Sequence, residues 1–231
     1  MKSITELENE LFARWKVELE KENRLIVTDG VVDPIKYKQS NPKILYILKE
    51  ANNIQEEGFD LREYVKKLIE HPRKETWEDL LRWTYGIRSL EKEHEWKYLQ
   101  NDFFFQNIEH LSSIAFMNIK KSTGGHTSIE KELQIAVENY SNYLIEQFFL
   151  YEPQVVIFCG SIVSDLFSNI VLGGKLDWKS TTRGIWYFIY KQRTVCIAFT
   201  HPTVRVASNF VYYSLIDAVR EIKQNHPEIF S

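Results

Sequence analysis

The stretch Ile44-Leu45-Tyr46-Ile47-Leu48-Lys49-Glu50-Ala51-Asn52 decides the fold class. Its first five residues are an unbroken apolar run, preceded by Asn41-Pro42 and followed by a switch to charged and amide side chains. Such a run is too short for a typical helix and lacks the alternation of a half-exposed strand. It therefore predicts a strand covered on both faces, as in a parallel sheet. Three similar runs follow: Ile114-Ala115-Phe116-Met117, Val155-Val156-Ile157-Phe158-Cys159 and Thr194-Val195-Cys196-Ile197-Ala198-Phe199.

Helical patterns separate these runs. Ser3 with Glu6 forms a capping-box signature, and Leu7, Leu11, Trp15 and Leu19 follow at helical spacing, which predicts a helix over 3–22. Asp29-Gly30 and Asp33-Pro34 mark turns. Further helix starts are expected at Asp60 with Glu63, Thr76 with Asp79, Thr127 with Glu130, Ser161 and Asn209. Residues 185–190 form another strand, joined through Lys191-Gln192-Arg193 to the Thr194 run as a hairpin. This alternation predicts an α/β fold, a three-layer α/β/α arrangement with a mainly parallel central sheet. One domain over residues 1–231 is expected, with an N-terminal helix and a helical insert at about 60–112.

Composition narrows the function classes. With 44% hydrophobic and 26% charged residues, the 231-residue chain has the balance of a globular protein. A net charge of −3 argues against coating nucleic acid by bulk charge, although Lys120, Lys121, Lys175, Lys179, Arg183, Lys191, Arg193 and Arg205 concentrate around two segments. Two cysteines, Cys159 and Cys196, cannot build a disulfide framework or an iron–sulfur cluster, and their strand positions predict core filling. The histidines show no metal-ligand spacing, so neither a metal nor another cofactor is expected. No apolar signal core opens the chain and no run reaches membrane-spanning length, so a cytoplasmic monomer without membrane contact is expected.

In open parallel sheets, ligands bind beyond the carboxyl ends of the strands. That rule singles out four segments: Lys49-Glu50-Ala51-Asn52-Asn53, the stretch from Asn118 through Lys120-Lys121 to Gly124-Gly125-His126, Gly160-Ser161, and His201-Pro202-Thr203-Val204-Arg205. Glu50 offers a general base or a stabiliser of positive charge. Asn118 is a paired donor and acceptor for an amide-like ring edge. His201 can donate to a developing anion, while Lys120, Lys121 and Arg205 can neutralise phosphates. The blander assignments are a helix cap for Glu50 and Ser161, loop satisfaction for Asn118, and a flexible turn for the glycines.

Taken in order, the four segments resemble the motifs of the uracil-DNA glycosylase superfamily. Leu48-Lys49-Glu50-Ala51-Asn52 is similar to its Gly-Glu-Ala-Pro motif, with Lys49 in place of Gly and Asn52 in place of Pro. Phe116-Met117-Asn118-Ile119-Lys120-Lys121 resembles the strand ending in a base-binding Asn. Val156-Ile157-Phe158-Cys159-Gly160 and Phe199-Thr200-His201-Pro202-Thr203 resemble the last two. The resemblance implies that fold without the iron–sulfur cluster, and hydrolysis of the N-glycosidic bond of uracil or another damaged base after base flipping. It implies Asn118, Asn52 and Asn53 at the base, Glu50 and His201 in catalysis, and Lys120, Lys121, Thr203 and Arg205 on single- or double-stranded DNA. Two alternatives stand beside it: an inactive or repurposed member that binds nucleotide or nucleic acid, and a small-molecule α/β enzyme unrelated to DNA.

Overall fold

A computed structural model describes residues 2–52, 59–68, 75–100, 103–124 and 128–231. The apolar run before Lys49-Glu50 is β2 (Ile44–Leu48), every residue of it buried. It pairs in parallel with β3 (Ala115–Asn118) on one side and with β4 (Val155–Cys159) on the other. β4 in turn pairs in parallel with β7 (Thr194–Phe199). These four strands are the four apolar runs, and their carboxyl ends therefore lie along one rim.

Antiparallel strands extend both sides. β1 (Gly30–Val31) pairs with β3, β6 (Trp186–Tyr190) forms the expected hairpin with β7, and β5 (Lys179–Ser180) pairs with β6. The order is β1-β3-β2-β4-β7-β6-β5. The sheet is mixed: three of its pairings are parallel and three antiparallel. The Asp29-Gly30 segment, expected as a turn, supplies one of the added strands. Gly30 has φ +128°, and a Cβ there would overlap the Glu8 carboxylate and the Tyr151 hydroxyl, so no larger residue fits.

Helices bury their apolar stripes on the two faces. Ile44, Tyr46 and Leu48 pack with α4 (Glu75–Arg88) and α8 (Ser208–Asn225), whereas Leu45 and Ile47 pack with α1 (Ile4–Lys21) and α6 (Glu130–Tyr151). The capping box forms as expected: the Glu6 N–H donates to Ser3 Oγ at 3.2 Å and the Ser3 N–H to Glu6 Oε2 at 2.6 Å. Asp60 caps α3 (Leu61–Lys66) through the Arg62 N–H. Thr76 is instead inside α4, and Thr127 lies outside the described residues, with Ile129 preceding α6. Ser161 is the first residue of α7 (Ser161–Leu166) and makes no cap bond; Gly160 precedes it at φ +119°. Cys159 and Cys196 are buried free thiols, and burial pushes both well above the usual range. Among the described residues, no helix is long and apolar enough to cross a membrane.

A polar network runs through the α1/α6 side of the core. Asp29 and Gln147 have no exposure, Glu8 has 1% and Lys121 2%. The Lys121 ammonium donates to both Asp29 oxygens at 2.6 and 2.7 Å and lies 5.3 Å from the Trp15 ring centre. Gln147 Nε2 donates to Asp29 and to the Tyr151 hydroxyl, which donates to Glu8. Removing one partner of a buried pair strands the other charge at a cost of about 3–5 kcal/mol. Asp29→Ala is therefore expected to lower unfolding stability by that amount in urea titrations. Wild-type stability in the variant would refute an ionic Lys121.

Candidate functional site

The rim is built outward from the strand ends. Beyond β2 and β3 the chains continue side by side: the Ile119 N–H donates to the Leu48 carbonyl, Lys120 to Lys49 and Gly124 to Ala51. A bridge links Asn52 to Gly124. On the other side, the Gly160 N–H donates to the Phe199 carbonyl at 2.9 Å, joining the ends of β4 and β7.

Asn118, the last residue of β3, is 2% exposed. Its backbone N–H donates to Asp29 Oδ2 at 2.7 Å. Its side-chain Nδ2 is buried without a hydrogen-bond partner. Buried polar atoms are nearly always paired, and an orphan donor at a strand end needs an acceptor.

His201 follows β7. The Thr203 N–H donates to its Nδ1 at 3.2 Å, and the Thr203 hydroxyl oxygen lies 2.9 Å from the same atom. An N–H can only donate, so Nδ1 is the acceptor and the ring proton resides on Nε2. Burial holds the imidazole below its ordinary range, and the Lys49 charge adds to the effect. Three strand spacings, about 14 Å, separate β3 from β7, so Asn118 and His201 flank the rim from its two sides.

Glu50 differs from its expected placement. Its carboxylate accepts from Lys120 Nζ at 2.5 Å, and the two side chains are only 4% and 6% exposed. Lys120 also reaches Glu132 at 3.2 Å. Gly124 covers the pair: a Cβ there would overlap the Glu50 carboxyl group. Gly124 is thus a packing requirement, and Glu50 is held beneath the loop, away from the open rim. Lys120 and Lys121, the expected phosphate contacts, are both paired with buried carboxylates.

The remaining expected residues divide simply. Asn52, Thr203 and Arg205 are exposed, whereas Asn53, Gly125 and His126 lie outside the described residues. Lys191 and Arg193 are at the opposite end of β7 from His201, about 17 Å along the strand, so the basic cluster seen in sequence is not one surface. The insert contributes a wall that sequence reasoning did not assign. Trp83 of α4 meets Phe199 edge-on at 5.3 Å, and Ser208, just past the His201 segment, donates to Asp79 Oδ2 at 3.4 Å. Burial raises the Asp79 carboxyl and Arg82 opposes the shift. Helical spacing alone marks Trp83 and Asp79 only as core positions. No protein-family model matches the chain, and no curated protein matches it.

Two outcomes follow from this geometry. Gly124→Ala should cost about 1–3 kcal/mol of stability through overpacking on Glu50, measured by denaturant unfolding; an unchanged midpoint would refute the Gly124–Glu50 contact. His201 should titrate below the unperturbed value of about 6.5 in NMR pH titrations. Because its folded-state pKa is depressed, its contribution to stability is full above that value and is lost as pH falls. His201→Gln should therefore lose less stability than wild type between about pH 7 and pH 5. A steeper loss in the variant would reverse the sign.

Proposed function

We propose that the strand-end rim binds a nucleobase extruded from a nucleic-acid strand, and that the protein hydrolyses its N-glycosidic bond as the uracil-DNA glycosylase superfamily it resembles does. The full α/β/α arrangement of that superfamily is part of the proposal. The observation that carries it is the Asn118 amide, with Nδ2 buried and unpartnered at the end of β3. A ring carbonyl is the acceptor it lacks. The placement of the four motif-like segments at the same end of four adjacent parallel strands supports the assignment.

In the reaction, water adds to C1′ of the sugar while the C1′–N bond breaks and its electron pair passes to the ring. The departing ring carries negative charge on its oxygen, which accepts from His201 Nε2–H. Solvent takes up the proton that the added water loses and protonates the ring. Because Glu50 is paired with Lys120 under Gly124, positioning the water falls to Asn52, exposed at the lip beside Gly124. Arg205 and Thr203, both exposed after His201, contact the phosphates.

The same Glu50–Lys120 pair favours a second function, binding a nucleotide or strand at the rim without excision. Incubation with single- and double-stranded uracil oligonucleotides, followed by alkali, should produce strand breaks. Asn118→Ala and His201→Ala should each reduce them about 100-fold or more. No cleavage across uracil, hypoxanthine and xanthine would remove the excision proposal. Binding that weakens steeply with salt would then leave the second function, and a flat response would remove nucleic acid as the ligand.

A further inference from the structure

Lys49 stands apart from the other basic residues of the chain. Among the described residues, every other buried or half-buried lysine or arginine has an ion pair or a side-chain hydrogen bond. Lys49 is half-buried and has neither among the described residues. A cation partly withdrawn from water without a compensating anion is costly, and the cost falls when an anion arrives.

Its direction follows from the sheet order. Lys49 leaves the end of β2, and its Cε lies 3.8 Å from the point where a Cβ on Gly160 would stand, at the end of β4. The side chain thus runs across the glycine toward β7, the next strand over, which is followed by His201. The Lys49 charge acts on the imidazole of His201, whose Nδ1 is occupied by Thr203. Among the described residues, His201 Nε2 has no hydrogen-bond partner. The nearby carboxylate of Glu50 is already neutralised by Lys120 and is not available to Lys49. The absence of a side chain at Gly160 keeps the path open.

We propose that Lys49 Nζ and His201 Nε2–H form a two-point site for an anionic oxygen of the ligand, with Gly160 as its floor. It rests on the same rim as the proposed function but does not require excision. Lysine supplies the full charge and three donors, while the histidine supplies a neutral, directional donor. The two sources of such an oxygen are a phosphate group and a ring oxygen that becomes negative as the base departs.

The test follows the His201 ring signal by NMR in the full-length protein, assigned with His201→Gln, at constant ionic strength. Inorganic phosphate and free uracil are added in separate titrations. A saturable shift of the His201 signal is expected, with about tenfold weaker binding in Lys49→Gln and retention in Lys49→Arg. A response to phosphate identifies the phosphate source, and a response to uracil identifies the ring source. If neither probe moves the signal, or if Lys49→Gln responds as wild type does, the site is overturned. The proposals separate cleanly. Excision that depends on Asn118 alongside a Lys49-independent response overturns only the anion site. A Lys49-dependent response in a protein that excises no base overturns only the excision chemistry.

Discussion

The buried carboxylate of Asp29 is the constraint on which the rest of this structure depends. It has no exposure and accepts from the Lys121 ammonium, the Asn118 backbone N–H and the Gln147 amide. Those donors come from the loop after β3, the end of β3 itself and the C-terminal part of α6. Burial drives the Lys121 pKa down and the Asp29 charge opposes that shift. The network continues through Tyr151 and Glu8 to Arg62, tying α1 and α3 to the same core. Burial raises the Glu8 carboxyl, and Arg62 works against it. A buried charge with all its donors in place fixes geometry more strictly than apolar packing does, because a shift of any donor exposes a desolvated carboxylate. The backbone of Asn118 is clamped by this arrangement while its side-chain amide remains unpartnered.

Electrostatics at the rim is therefore a matter of subtraction. Lys120 is cancelled by Glu50 and Glu132, and Lys121 by Asp29. Among the described residues, what remains on the rim is Lys49, between the two flanking residues, and Arg205 beyond His201. A sequence shows how many cations a segment holds; only the fold shows which of them are already paired. Glu50 follows the same logic, since its partner and its glycine cover come from the segment after β3, some seventy residues away in the chain.

The fold was legible where the signal is local. Apolar runs mark β2, β3, β4 and β7, and Ser3 with Glu6 marks the start of α1, because burial on both faces and capping each leave a pattern within a few residues. Asp29-Gly30 was not legible: an acid before a glycine has the signature of a turn, and only the distant Lys121 and Gln147 make that acid a core residue. The candidate site was legible as a set of strand ends, which placed Asn118 and His201. The burial of Glu50, Lys120 and Lys121 was not, because the direction of a side chain after a strand depends on the neighbouring loop. Lys49 was visible only as a departure from a motif.

The outermost strands, β1 and β5, are two residues long each. A sheet edge recruits another chain through its row of unpaired N–H and C=O groups, and two residues offer too few for a stable added strand. The four long buried strands, whose apolar sequences would be the most adhesive if exposed, are all interior to the sheet. The short antiparallel additions thus act as bumpers: they end the hydrogen-bonding pattern before it can propagate from one molecule to the next.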